Sequence, residues 1–243
     1  MADPVAIVTG ASRGLGREIA LRLAADGHAV AVNYRERAEE AETVVREIEA
    51  AGGQALAIQA DIAEAAEAEK LFDAAEAAFG GIDVLVNNAG LSIIAPLAEM
   101  PDEVFDRHFA VNTRGVFNML KRAARRLRPG GRIVNLSSTA GAGNRPGYGA
   151  YIASKAAVEA LTRGFADELR GRSITVNAVA SGLIVSGMFS ASRTEAQLAE
   201  MARMSPLDRL GTPAEIAAVV ALLVGPDGAW VTGQVLRTYG GVA

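Results

Sequence analysis

The sequence predicts an α/β fold in one domain: a doubly wound parallel sheet of about seven strands with helices on both faces. Three observations predict it. Short apolar runs rich in β-branched residues alternate with longer helical patterns along all 243 residues. Half of those residues (50%) are hydrophobic, enough for a large core. No linker, repeat or low-complexity stretch breaks the alternation, so one domain covers 1–243. A parallel sheet needs both faces covered, and the intervening helices supply the cover.

The elements follow in order. The run Val5-Ala6-Ile7-Val8 makes a strand over 5–9, and Ile19, Leu21 and Leu23 mark a helix over 14–26 that stops at Asp26-Gly27. Further strands are expected near 29–33, 55–59, 83–87, 131–136, 174–178 and 234–237, with helices near 38–51, 63–79, 102–127, 149–170 and 213–224. Thr212-Pro213-Ala214-Glu215 gives the last helix a cap, a proline at its first position and an acid at its third. Residues 183–211 carry small polar residues and methionines without a strand pattern, and read as a substrate lid or insertion.

Between the first strand and helix stands Thr9-Gly10-Ala11-Ser12-Arg13-Gly14-Leu15-Gly16. A strand, a glycine turn and a helix form the context of a Rossmann-type dinucleotide site. Gly10 permits the tight turn, while Gly14 and Gly16 let backbone approach a pyrophosphate at the helix N-terminus. The spacing is G-x-x-x-G-x-G rather than G-x-G-x-x-G.

A second constellation carries chemistry. Tyr151 and Lys155 stand four apart, hence on one helix face, with Ser138 thirteen residues before the tyrosine. The trio offers an acid, a cation to lower that acid's pKa and a hydroxyl to hold a carbonyl oxygen. In an open α/β sheet, ligands bind beyond the carboxyl ends of the strands, where Gly10–Gly16, Asp61, Asn88–Gly90, Ser138 and the loop from Ser181 all fall.

With Asn87-Asn88-Ala89-Gly90 after a strand, Asn112 in Val111-Asn112-Thr113, and Asn135-Leu136-Ser137-Ser138 ending another strand, the chain resembles the short-chain dehydrogenase/reductase family over nearly its whole length. Gly233-Gln234-Val235-Leu236 and Gly240-Gly241 also fit, and the likeness is greatest to the 3-oxoacyl-carrier-protein reductase and ketone reductase branch. The resemblance implies hydride transfer between NADP(H) and a carbonyl carbon. It makes Tyr151 the proton donor, Ser138 the second donor to the same oxygen, Lys155 a ligand of the nicotinamide ribose as well as the tuning cation, and Asn112 the holder of a relay water. It implies a homo-oligomer, a tetramer, for which the stripe Ala153, Ala157, Ala160 and Gly164 beside Val158, Leu161, Phe165 and Leu169 is suited.

The expected cofactor contacts are Gly10, Ser12, Arg13, Gly14, Leu15, Gly16, Asn33, Tyr34, Arg35, Asp61, Ile62, Asn88, Ala89, Gly90, Tyr151, Lys155, Ser181, Gly182, Ile184 and Ser186. The second strand ends Val32-Asn33-Tyr34-Arg35 without a carboxylate before Glu36, and Arg13 and Arg35 suit a 2′-phosphate, which favours NADP(H) over NAD(H). Asp61 resembles the family's adenine contact, or caps a helix. The family's usual proline is replaced by Ser181, which either loosens the loop or adds a contact there. The expected substrate pocket comprises Leu91, Ser92, Ile93, Ala140, Asn144, Tyr148, Leu183, Met188 and Phe189, mostly apolar, and favours a hydrophobic ketone or aldehyde over a sugar.

Other classes are disfavoured. There is no cysteine, hence no disulfide or thiolate metal site, and two histidines do not make a zinc centre. His28 and His108 read as structural or surface residues. A net charge of −4 without a single-sign run disfavours nucleic acid. The densest basic stretch, Lys121 to Arg128, reads as a solvated helix end before Pro129-Gly130-Gly131, and a dock for an acidic carrier protein is its other reading. Met1-Ala2-Asp3-Pro4 does not open a signal peptide and no apolar run spans a bilayer, so a cytoplasmic location is expected. Against a carbonyl reductase stand a 3-oxoacyl-carrier-protein reductase and a catalytically silent NADP(H) sensor, and a sensor has no need of an acid.

Overall fold

A computed structural model of the chain describes residues 3–142, 146–185 and 194–241. Its seven strands are β1 (Val5–Val8), β2 (Ala29–Tyr34), β3 (Ala55–Gln59), β4 (Ile82–Asn87), β5 (Leu127–Ser138), β6 (Thr175–Ser181) and β7 (Val235–Thr238). All pair in parallel in the order β3-β2-β1-β4-β5-β6-β7. Ile7, Ala31 and Leu85 align on one face and Val8, Val32 and Val86 on the other, so the centre of the sheet is apolar on both faces.

Helices α1 (Gly14–Ala25), α2 (Ala38–Ala50) and the helix Pro213–Val224 cover one face, with Ile19, Leu23, Val44, Ile48, Ile216 and Val220 buried. Helices α3 (Ala65–Phe79), α5 (Val116–Arg126) and α6 (Gly149–Glu168) cover the other, around Leu71, Phe72, Met119, Leu120 and Val158. The expected helix over 102–127 is one rod in three parts: α4 (Asp102–His108), a π-helical stretch (Phe109–Gly115) and α5. A π turn inserts an extra residue per turn and is frequent at functional sites. It carries the buried Asn112.

Three expectations need correction. β5 starts at Leu127, four residues before the expected 131, because Ile82 pairs with Leu127 ahead of an irregularity in the register. The region 183–211 contains a helix, α7 (Glu195–Arg203), which opens with a reciprocal Thr194–Gln197 capping box and leaves its short apolar stripe, Leu198, Met201 and Ala202, only half-buried. The basic stretch is no solvated helix end. Arg126 reaches Glu69 at 2.7 Å, Asp73 at 2.8 Å and Glu76 at 2.6 Å on α3, and Arg122 reaches Glu69 at 3.0 Å. The final main helix, α8 (Pro213–Val224), starts as expected: Thr212 Oγ1 accepts the Glu215 N–H and the Glu215 carboxylate accepts the Thr212 N–H.

The excursion from β6 to α8 is closed at its base. Val185 N–H donates to Gly211 at 2.8 Å and Gly211 N–H to Leu183 at 3.0 Å. No helix of the described residues is long and apolar enough to cross a membrane.

Candidate active site

The glycine turn is clamped from three sides. Gly10 and Gly14 have φ of +62° and +56°, the left-handed region that glycine enters without strain. The Asn88 side chain donates to the Thr9 and Gly10 carbonyls at 2.9 and 3.1 Å. A side-chain carbon on Gly10 would lie 2.9 Å from the Ala89 Cα. Asn33, expected to contact cofactor, is buried beneath the turn: its Oδ1 accepts the Gly10 N–H at 3.2 Å and its Nδ2 donates to Ile58 and Ala60. It holds the turn from behind. Ile62 is likewise buried, against Gly115.

Above the turn, Arg13 precedes α1 in an extended conformation and its side chain makes no cap bond, while Gly14 is exposed with open space around it. The first N–H groups of α1 are therefore free to meet an anion. Leu15 packs on the core, Gly16 and Ser12 are buried, and Tyr34 ends β2 beside Arg35. Although β2 ends without a carboxylate before Glu36, acids do face Arg35. The Arg35 guanidinium pairs with Glu36 at 2.5 Å and stands 3.7 Å from the Asp61 carboxylate, which β3 brings alongside β2. Asp61 also accepts the Ala63 N–H at 3.0 Å, which is its alternative capping role.

At the ends of β5 and β6 lies the reactive cluster. Burial pushes the Tyr151 phenol above its usual pKa, a hydrogen bond with the Ser138 hydroxyl opposes the rise, and neighbouring Tyr148 adds to it. The tyrosine rings meet edge to face at 6.4 Å. A raised pKa keeps the phenol protonated at neutrality, so it stands ready as an acid. Lys155 was expected to lower that pKa. Instead its Nζ donates to the Leu136 carbonyl at 2.8 Å, and burial is the main influence on each group. Burial pulls the Lys155 ammonium down to about 8. The charged form is the disfavoured one, so it costs the fold about 3 kcal/mol below that pH, fading as the pH rises toward 10.5.

Asn112 links the cluster together. It exchanges two hydrogen bonds with Leu91, both at 2.9 Å, and donates to Ser154 Oγ at 3.0 Å, which donates to the Tyr151 carbonyl at 2.7 Å. A side-chain carbon on Gly90 would come within 3.2 Å of Asn112 Oδ1 and 3.3 Å of Lys155 Nζ, so all three share one small space.

Among the expected loop and pocket residues, Leu91, Ser92 and Ile93 run along one side, Ala140 N–H donates to Ser138 Oγ, and Tyr148 and Leu183 are half-buried. Ser181 continues β6 by pairing with Ser138 and Thr238; it keeps the N–H that a proline lacks. Gly182 N–H donates to Thr238, a carbon on Gly182 would overlap Tyr239, and Ile184 bridges to Gly211. Asn144, Ser186, Met188 and Phe189 lie outside the described residues. His28 is a structural residue as expected, its Nδ1 3.0 Å from the Leu23 carbonyl. Fully buried His108, on the same rod as Asn112, is a site neighbour the sequence did not disclose.

Comparisons with known proteins agree with this geometry. The family model described as Enoyl-(Acyl carrier protein) reductase matches residues 10–243. A short-chain type dehydrogenase/reductase of Picea abies is 45% identical, over 98% of this chain and 91% of its own length. A 3-oxoacyl-[acyl-carrier-protein] reductase of Staphylococcus aureus is 44% identical, over 98% of this chain and 97% of its own. A short chain dehydrogenase from Burkholderia cenocepacia, solved in complex with NADP, superposes with a TM-score of 0.94 at 40% identity, covering 99% of this chain and 98% of that one. With this much identity over almost the full length of each relative, the chain belongs to the short-chain dehydrogenase/reductase family.

Proposed function

We propose that this protein is an NADPH-dependent carbonyl reductase acting on small or medium apolar ketones. The observation that carries the reading is the half-buried Tyr151 phenol beside the Ser138 hydroxyl at the carboxyl ends of the strands. The exposed Gly14 backbone and uncapped N-terminus of α1 fit a pyrophosphate, and Arg13 and Arg35 fit a 2′-phosphate. Bound there, NADP(H) supplies the hydride. Tyr151 gives its proton to the carbonyl oxygen as negative charge develops on it. Ser138 donates to the same oxygen, a fixed dipole aimed at that charge. Lys155, on the same helix face, binds ribose hydroxyls and offers its proton toward the phenol. Asn112 holds the relay side of the cluster through Leu91 and Ser154. The excursion from Leu183 to Gly211 serves as the substrate lid.

A second reading, a 3-oxoacyl-carrier-protein reductase, is supported by the 44% identity to the Staphylococcus aureus protein of that name. NADPH oxidation measured with a panel of free ketones and with a carrier-bound β-ketoacyl thioester decides between them. Free ketones are expected to be turned over with the higher kcat/KM, and the reverse order would favour the carrier-bound substrate. In the same assay, replacing Arg13 and Arg35 with Ser is expected to raise the KM for NADPH about a hundredfold, as for loss of charge-assisted contacts, and to leave that for NADH nearly unchanged. Equal losses for both cofactors would show that the arginines only shape the loop.

The exposed stripe Ala153, Ala160 and Gly164 on α6, with Ala157 half-buried beside it, supports a homotetramer built on helix pairing. Light scattering of active protein at micromolar concentration tests it, and a mass near the 25.1 kDa of one chain would refute it.

A further inference from the structure

His108 is a buried, doubly bonded imidazole that the proposed chemistry does not use. Its Nδ1 faces the Val104 carbonyl at 2.8 Å and its Nε2 faces the Ile93 N–H at 3.1 Å. A carbonyl only accepts and an amide N–H only donates. The ring is therefore neutral, with its proton on Nδ1 and its lone pair on Nε2 aimed at Ile93. Asn112, four residues along the same rod, grips Leu91 in the same way. Ala95 N–H donates to Gly147 at 3.2 Å. Every second amide from 91 to 95 is thus pinned, as along a strand edge, and the pins come from the rod and from the segment that leads into α6.

The strap so formed lies against the start of the helix that carries the acid. Side-chain carbons placed on Gly147 and Gly149 would touch Ile94 at 2.9 Å and Leu97 at 3.2 Å, and Tyr148 stands between those glycines. The His108 ring meets the Tyr151 ring edge-on at 6.4 Å. Ile93, Ile94 and Leu97 are 40%, 43% and 66% exposed, an apolar row beside the crevice.

We propose that His108 is a positioning residue that fixes the Leu91–Leu97 strap on the catalytic helix and thereby sets which apolar carbonyl compounds fit the site. The substrate half of the proposal rests on the carbonyl reductase reading; the clasp does not. Leucine at 108 fills similar space but leaves the Ile93 N–H without an acceptor, whereas glutamine presents a carbonyl oxygen in its place.

The test uses the full-length chain with hydrogen exchange, NADPH binding by fluorescence, and kinetics with acetophenone and 2-butanone. His108→Leu is expected to speed exchange at Ile93 and raise the KM for acetophenone, each about tenfold, as for one buried hydrogen bond lost. The kcat, the KM for the smaller ketone and NADPH affinity should stay within about threefold. His108→Gln should recover most of both losses. If the leucine variant fails to fold, Ile93→Pro deletes the same donor from the exposed side and should raise the acetophenone KM alike. Unchanged exchange and KM in H108L, or a glutamine variant as impaired as the leucine one, would overturn the proposal. A parent enzyme silent on every ketone would sink the reductase reading and the substrate half with it, while exchange at Ile93 decides the clasp independently.

Discussion

Tyr151→Phe is expected to lower kcat for ketone reduction by about a thousandfold, within the range for losing a general acid. The substitution keeps the ring and its edge-to-face contacts with Tyr148 and His108, and removes only the hydroxyl beside Ser138. NADPH affinity should therefore hold, because the glycine turn and the first turn of α1 are untouched. The raised phenol pKa makes a second readout. The acid is protonated through neutrality, so the parent should keep its reductase activity as the pH rises past 7, and the residual activity of the variant should show no phenol-dependent limb. Turnover in the phenylalanine variant within a few-fold of the parent would remove Tyr151 from the role of proton donor.

Gly16→Ala should have the largest effect on cofactor binding. An added methyl would lie 2.3 Å from the Gly10 carbonyl oxygen, 2.5 Å from Asn88 Nδ2 and 3.0 Å from the Ala11 Cα. Two of those atoms are backbone, and the third is the amide that clamps the turn, so none is free to swing aside. Relief requires the turn to move away from α1. Overpacking of this kind costs about 3 kcal/mol at the upper end, or about a hundredfold in NADPH affinity if the strain falls on the bound conformation. Gly14→Ala makes the contrast. Its φ of +56° is strained for alanine, but nothing lies within 4 Å, so the loss should be limited to about 1–2 kcal/mol. Isothermal titration of both variants with NADPH checks the order, and equal affinities would refute the close approach at Gly16.

Much of this was legible in the chain because the informative residues are neighbours in sequence. Val5–Val8 running into Gly10–Gly16 states strand, turn and helix in twelve residues, and Tyr151 with Lys155 states a shared helix face in five. What escaped notice depends on partners far apart. Arg35 and Asp61 are brought together only by the pairing of β2 with β3. His108 meets a backbone amide of Ile93, and an amide leaves no residue-type signature. Lys155 could be placed on the right face from spacing, but not its bond to Leu136, because spacing is silent on depth. Helix α7 is nine residues long, and its stripe of Leu198, Met201 and Ala202 is too short to stand out beside the longer helical patterns.

The strand order β3-β2-β1-β4-β5-β6-β7 bears on how the chain assembles during synthesis. As residues leave the ribosome in order, β2 adds to β1 and β3 to β2, extending one edge. The chain then returns once, from β3 to the far side of β1, where β4 docks. From there β5, β6 and β7 each join the edge left by the strand before. No strand ever inserts between two that are already paired, so the sheet grows by edge addition alone. The widest sequence separation, 78 residues from Ala6 to Val84, falls on the step that brings β4 to β1, and the next, 57 residues from Ala178 to Val235, on the addition of β7. Until that step the β1 edge is an open template, and afterwards the growing edge moves steadily toward β7.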